Sequence, residues 1–282
     1  MMQKVAALLM SVVLLIGLAG GCLASPSPFT YHELIWSDEF SDTLDETKWR
    51  AMIGTGPSEG YPGYWGNNEA QYYRAENGFV RDGRLVIRVL REDFEGMAYT
   101  SARLTTCDLF AFTYGRVEAR MKLPADMDGL WPAFWLLPDG SPDEWVNGIW
   151  AASGEIDVME SRSRLPGEIS GAAHFGGSWP ANACAFQKYT FPEGQSVADW
   201  HVYSLEWFPD KLIWYVDGQE YFRLEDWYTV VNGQMYGPPK PFDEAFCILL
   251  NVAVGGHFDQ GRLLDEAFAE AEILVDWVRV YQ

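Results

Sequence analysis

Seven consecutive residues, Gly154-Glu155-Ile156-Asp157-Val158-Met159-Glu160, set three carboxylates among side chains that favour burial. Surface acids sit among polar neighbours, but these are interleaved with Ile156, Val158 and Met159. In a β-strand successive side chains point to opposite faces, so Glu155 and Asp157 share one face while Ile156 and Val158 line the other. Strict alternation would send Glu160 to the buried side with Ile156. One extra residue, inserted as a β-bulge near Val158-Met159, shifts the count and returns Glu160 to the face of the other two acids. The stretch therefore predicts a bulged strand with three acids along one concave wall.

The remaining chain also reads as strands. Gly115 to Leu123 alternates polar and apolar residues, the pattern of a half-buried strand. Arg84 to Leu90 is a second strand, led by the turn Asp82-Gly83. Leu212 to Val216, Asp217-Gly218 and Gln219 to Phe222 form a hairpin signal with an Asp-Gly turn. Phe246 to Val254 is a near-continuous apolar run, and Ile273 to Tyr281 closes the chain as another strand. Many short strands, turn signals and no convincing helix of about twelve residues predict an all-β fold. Its simplest form is a β-sandwich of two curved antiparallel sheets, one face of which makes a trough for a polymer.

Residues 1–24 read as an export signal, with Lys4 as the positive end and Val5 to Leu18 as the apolar core. That run is too short to favour a membrane span, and nothing comparable recurs downstream. Cleavage after Ala24 and lipoprotein-type cleavage before Cys22, at Ala19-Gly20-Gly21-Cys22, both fit. The first predicts a secreted protein, and the second a cell-surface protein anchored by lipid through Cys22. Residues 25–29 read as a short spacer and 30–282 as one domain. No feature marks an oligomer, and a monomer is expected.

Cys107, Cys184 and Cys247 remain in the body. None shows metal-ligand spacing, and buried or half-buried free thiols are the favoured reading. One disulfide plus one free thiol is the alternative, with the pair left open. Forty acidic against twenty basic residues give a formal net charge of −20. Such a charge speaks against nucleic acid and against polyanionic polysaccharides. Thirteen Trp and fourteen Tyr suit either a large core or stacking on neutral sugar faces.

Two carboxylic acids flanking a glycosidic bond are the usual equipment for glycoside hydrolysis. With the bulge, Glu155 and Glu160 stand about 13 Å apart at their α-carbons, taking about 3.3 Å per strand step. Side chains leaning together bring the carboxyls within about 5–6 Å, the separation of a retaining double displacement rather than an inverting one. Position and charge then assign Glu155 as nucleophile, Glu160 as general acid and later base, and Asp157 as the group that orients Glu155 or shares its proton. Crowding penalises full ionisation and helps to keep the acid protonated. A solvated acidic edge or a calcium site is the competing reading of the same residues. The four His are scattered without H-E-x-x-H, so catalytic zinc has no sequence support.

At these residues the chain resembles glycoside hydrolase family 16, on its laminarinase (endo-β-1,3-glucanase) branch. The E-x-D-x-x-E signature falls on Glu155, Asp157 and Glu160; lichenase-type and xyloglucan-active members have one residue fewer. The resemblance runs from Trp36-Ser37-Asp38-Glu39-Phe40 to Val275-Asp276-Trp277-Val278-Arg279-Val280-Tyr281. Between them lie Trp65-Gly66-Asn67-Asn68-Glu69, Tyr114-Gly115-Arg116, Leu130-Trp131-Pro132-Ala133-Phe134-Trp135 and His174-Phe175-Gly176.

The resemblance implies a jelly-roll, concanavalin A-like sandwich and hydrolysis without an organic cofactor. It also implies glucose-stacking roles for Trp131 and Trp135 and a place for His174 near the cleavage site. Trp179, in a Gly-rich loop, is a further stacking candidate. Asn67 and Asn68 suit sugar hydroxyls or a turn, and Asn251 must find a partner if buried. A structural Ca2+ is implied at the carbonyls of Glu39 and Gly83 and the carboxylate of Asp276, oxygen ligands that suit that cation. The implied partner is a β-glucan. Mixed-linkage β-1,3-1,4-glucan or a galactan as substrate, transglycosylation, and non-catalytic glucan binding are the alternatives. Binding-only relatives lack the paired Glu that this chain retains.

Overall fold

The alternation along the strands is what lets each sheet bury one face against the other. In the computed structural model, which describes residues 29–282, ten strands form one sheet and nine the other. The signal segment, Cys22 and most of the 25–29 spacer lie outside the described residues. Pairing is antiparallel apart from Gln71–Tyr73 beside Met97–Ser101 and the single step Gly176 to Thr229. Among the described residues the only helices are short 3₁₀ turns, such as Pro57–Glu59.

The ten-stranded sheet holds Gly115–Lys122 between His201–Trp207 and Glu270–Tyr281. The nine-stranded sheet places Glu155–Glu160 between Leu130–Pro138 and Glu168–Gly176, with Phe246–Val254 one strand further out. Inward residues of both sheets make one core, among them Ile156, Val158, Met159, Phe134, Leu136 and Ile248 facing Val117, Met121, Leu205 and Val275. A second, smaller apolar cluster contains Met52, Trp65, Leu137, Leu249 and the partly buried Trp135 and Trp150. Leu137 and Leu249 alternate with the main-core Leu136 and Ile248, so this cluster sits on the outer face of the sheet. It forms an apolar bed beside the acids.

Both Asp-Gly turns are built as expected. Asp82 and Gly83, and Asp217 and Gly218, all take positive φ, the two-residue geometry that matches strand twist. The Gly115–Lys122 strand is more deeply buried than its alternation suggests. Its polar face is covered as well: Arg116 and Glu118 are buried and pair at 3.0 Å, with the Arg116 guanidinium over the rings of Phe29 and Tyr281.

The favoured reading of three free cysteines is overturned, for Cys107 and Cys247 are disulfide-bonded. Antiparallel pairing of Thr105 with Leu249 fixes this, because two residues after Thr105 and two before Leu249 the same register brings Cys107 and Cys247 together, 4.9 Å apart at Cα. Cys184 is free and exposed.

Candidate active site

The bulge lies where the sequence places it. Register with Glu168–Gly176 shifts between Asp157 and Glu160, and register with Leu130–Pro138 shifts between Asp157 and Met159. Val158 and Met159 both enter the core, and Glu160 emerges on the side of Asp157 and Glu155. Trp214, reaching across from the other sheet, donates its indole N–H to the Asp157 carbonyl at 2.8 Å. That bond occupies a backbone acceptor at the irregularity which could not be left bare in a core. Gly154 has φ +85, and a Cβ there would sit 2.8 Å from the Phe242 ring. Only glycine makes that entry to the strand.

Each of the two glutamates accepts one indole N–H. Trp150 Nε1 donates to Glu155 Oε2 at 3.1 Å, and Trp131 Nε1 donates to Glu160 Oε1 at 3.0 Å. His174, opposite Glu155 in the neighbouring strand, sets Nε2 3.4 Å from Asp157 Oδ2 and 3.7 Å from Glu155 Oε1. These three ligand-type atoms lie within 4.8 Å of one another.

Burial first, then the Asp157 charge, pushes the Glu155 carboxyl up to about 8, while His174, Arg103 and the Trp150 N–H pull the other way. The same two causes hold Glu160 well above the ordinary carboxylate range, opposed by His174 and the Trp131 N–H. Burial alone would depress His174, but Asp157, the Cys184 thiol and Glu155 outweigh it and hold the imidazole up at about 12. The site is a set of carboxyls sharing one imidazolium, with Asp157 nearest to that charge and Glu155 next.

Trp135 turns its N–H to Asn251 Oδ1 at 2.7 Å rather than outward. Asn251 Nδ2 donates to Tyr73 OH, and Tyr73 donates to Glu69 Oε2 at 3.1 Å. Gln71 and Asn67 complete the shell of Glu69, whose carboxyl is raised by burial and partly restrained by Arg103. Asn251 thus finds the partners its burial requires. Arg103 lies over the rings of Trp65, Trp135 and Tyr61 at 4.5, 4.6 and 5.0 Å, and its Nε and Nη2 have no hydrogen-bond partner among the described residues.

Trp131 stacks on Phe258 at 4.9 Å, so one of its faces is already covered. Asn68 is exposed, with φ 58, and lines a cavity of about 320 Å³ together with Tyr64, Gly256 and Leu263. Gly256 also touches Trp131: a Cβ there would lie 3.0 Å from its ring. Trp179 is 69 % exposed, and its backbone N–H donates to the carbonyl of Trp150 at 3.0 Å, which ties its loop to the residue whose indole meets Glu155.

Glu39, Gly83 and Asp276 lie apart from this site. Asp276 Oδ2 accepts from Arg120 Nη1 at 2.6 Å and Oδ1 lies 3.6 Å from Arg84 Nε, while Glu39 is gripped by Arg279. The one carboxylate proposed as a calcium ligand is thus neutralised by two guanidinium groups, and the set does not fit a calcium ion as it stands.

Sequence reasoning missed Trp150, Arg103, Tyr73 and the contact of Cys184 with His174. Arg103 had a readable signal, a lone cation inside the apolar Ala102-Arg103-Leu104 stretch. Trp150 had none, since it comes from an irregular loop.

The family model of glycosyl hydrolases family 16 matches residues 62–279. Glucan endo-1,3-beta-glucosidase A1 of Niallia circulans is 44% identical over 263 residues, covering 88% of this chain and 38% of that protein. The beta-glucanase of Rhodothermus marinus is 35% identical over 298 residues, covering 100% of this chain and 95% of that one. The laminarinase catalytic domain of Thermotoga maritima MSB8 superposes with a TM-score of 0.74 at 37% identity, covering 89% of this chain and 98% of that one. The chain therefore spans under two-fifths of the Niallia relative (38%) and nearly all of the other two.

Proposed function

The chain belongs to glycosyl hydrolase family 16, and from that premise we propose that it hydrolyses β-1,3-linked glucans internally, by a retaining double displacement. The observation that carries this reading is the Val158-Met159 bulge, which sets Glu155 and Glu160 on one side of the strand with different electrostatic support. Glu155 has the imidazolium of His174 within 3.7 Å as well as an indole N–H, so it ionises first. Glu160 has the Trp131 N–H as its direct donor and keeps its proton longer.

In the first step the Glu155 carboxylate attacks the anomeric carbon while Glu160 gives its proton to the departing glycosidic oxygen. Water then attacks the glycosyl-enzyme ester. Glu160, now ionised, takes a proton from that water, and Glu155 leaves as carboxylate. Asp157 and His174 keep Glu155 oriented. The named activities of the Niallia and Rhodothermus relatives favour a β-glucan as substrate. Turnover of laminarin against lichenan and agarose tests it, and a chain active only on agarose would overturn it.

Export through residues 1–24, a lipid tether at Cys22 and a monomeric state extend this reading on the sequence alone. Structural calcium is not part of it, for the reason given by Asp276, Arg120 and Arg84.

A further inference from the structure

Donor atoms of three kinds converge beside Glu155. His174 Nε2, Asp157 Oδ2 and Glu155 Oε1 lie within 4.8 Å of one another, at 3.4 Å and 3.7 Å from the nitrogen. Cys184, unpaired and exposed, sits across the register from His174 with Sγ 3.8 Å from the same nitrogen. Asp157 is 4% exposed, and its Oδ2 has no hydrogen-bond partner among the described residues. That buried carboxylate oxygen faces the His174 ring nitrogen at 3.4 Å, a pair that an ion would take over by displacing the imidazolium proton, and beyond the nitrogen lies a thiol.

We propose that Glu155, Asp157, His174 and Cys184 form a reversible binding site for a divalent transition-metal ion, zinc in particular, whose occupancy switches the active site off. Around tetrahedral zinc, with bonds of about 2.0–2.1 Å to N and O and about 2.3 Å to S, neighbouring ligand atoms stand about 3.3–3.6 Å apart. The 3.4, 3.7 and 3.8 Å spacings here are within a few tenths of an ångström of that. Cys184 lies outside that three-residue group, and its exposed side chain would have to rotate for the sulfur, now 3.8 Å from His174 Nε2, to become the fourth ligand. Nitrogen and sulfur donors select zinc or copper over calcium and magnesium, which take oxygen.

The ion differs from a catalytic zinc in one respect: it consumes the nucleophile as a ligand and leaves no position open for substrate. That inhibitory consequence rests on the proposed role of Glu155, whereas the binding itself does not.

The test is calorimetric titration of Zn2+ into the full chain, alongside laminarin hydrolysis at rising Zn2+ and its reversal by EDTA. One ion per chain is expected, at micromolar affinity, with activity lost in step with occupancy. Cys184→Ser should weaken both binding and inhibition about tenfold or more, inhibition being read against that variant's own metal-free turnover, because a soft thiolate ligand is lost. His174→Gln should abolish binding; if that variant fails to fold, Cys184→Ser decides alone. Absence of binding at roughly 100 µM Zn2+, where a micromolar site is saturated, would overturn the proposal, as would inhibition indifferent to Cys184→Ser. Cys184-dependent binding to a chain inert on laminarin would uphold the site and sink the hydrolase reading, so the two failures are separable.

Discussion

Val158 and Met159 are consecutive in the chain and yet both point into the core between the sheets, 1 % and 0 % exposed. No regular strand permits this, because neighbours alternate. The extra inward residue is what lets Glu160 face the way Glu155 faces, three residues beyond Asp157 rather than two. The core and the catalytic pair are therefore one construction: the packing of Met159 holds the turn-out of Glu160.

Met159→Ala tests that coupling. Emptying a fully buried methionine site should cost about 2–5 kcal/mol of stability, read from urea unfolding. A loss under about 1 kcal/mol would mean that the side chain is not packed as described.

Trp131→Phe keeps the ring on Phe258 and removes the N–H that Glu160 accepts. That bond favours the ionised carboxylate, so its loss raises Glu160 further. The alkaline limb of the kcat/KM profile, where the acid loses its proton, should move to higher pH. An unmoved limb would dissociate Trp131 from the acid.

Burial that raises Glu160 also carries a stability cost with a definite sign. A carboxyl whose folded pKa exceeds its unfolded value binds its proton more tightly when folded. Its stabilisation is fully present below the unfolded pKa and is lost as pH rises through the folded one. Glu160→Gln removes the ionisable group, so thermal unfolding should show a Tm advantage over the parent chain that grows from pH 5 towards pH 9. A constant difference across that range would contradict the raised value.

Most of this architecture was legible in the sequence, for physical reasons particular to each element. Period-two patterning marked Gly115–Lys122 and the acid strand, and Asp82-Gly83 and Asp217-Gly218 announced their turns through residues that tolerate positive φ. The bulge was readable because three acids cannot share one side of a strand at that spacing without it. The indole donors Trp131 and Trp150 were not readable as donors, since pattern locates a ring but not the direction of its N–H. The Cys107–Cys247 pair needed the register of two strands 140 residues apart. Cys184 and His174 likewise meet only across a strand pairing.

Asp276, held by Arg120 and Arg84, predicts indifference to calcium. Dialysis of a zinc-free, calcium-equilibrated preparation against EDTA should leave Tm and laminarin turnover unchanged. A fall in Tm of several degrees, reversed by Ca2+, would show that those guanidinium groups give way to the ion.

The stereochemistry of the first product bears most directly on the pairing of Glu155 with Glu160. Proton NMR of laminarin digestion, recorded before mutarotation, should show the β-anomer of the new reducing end appearing first. Initial release of the α-anomer would mean that water, not Glu155, attacks the anomeric carbon, and the double-displacement account would fall.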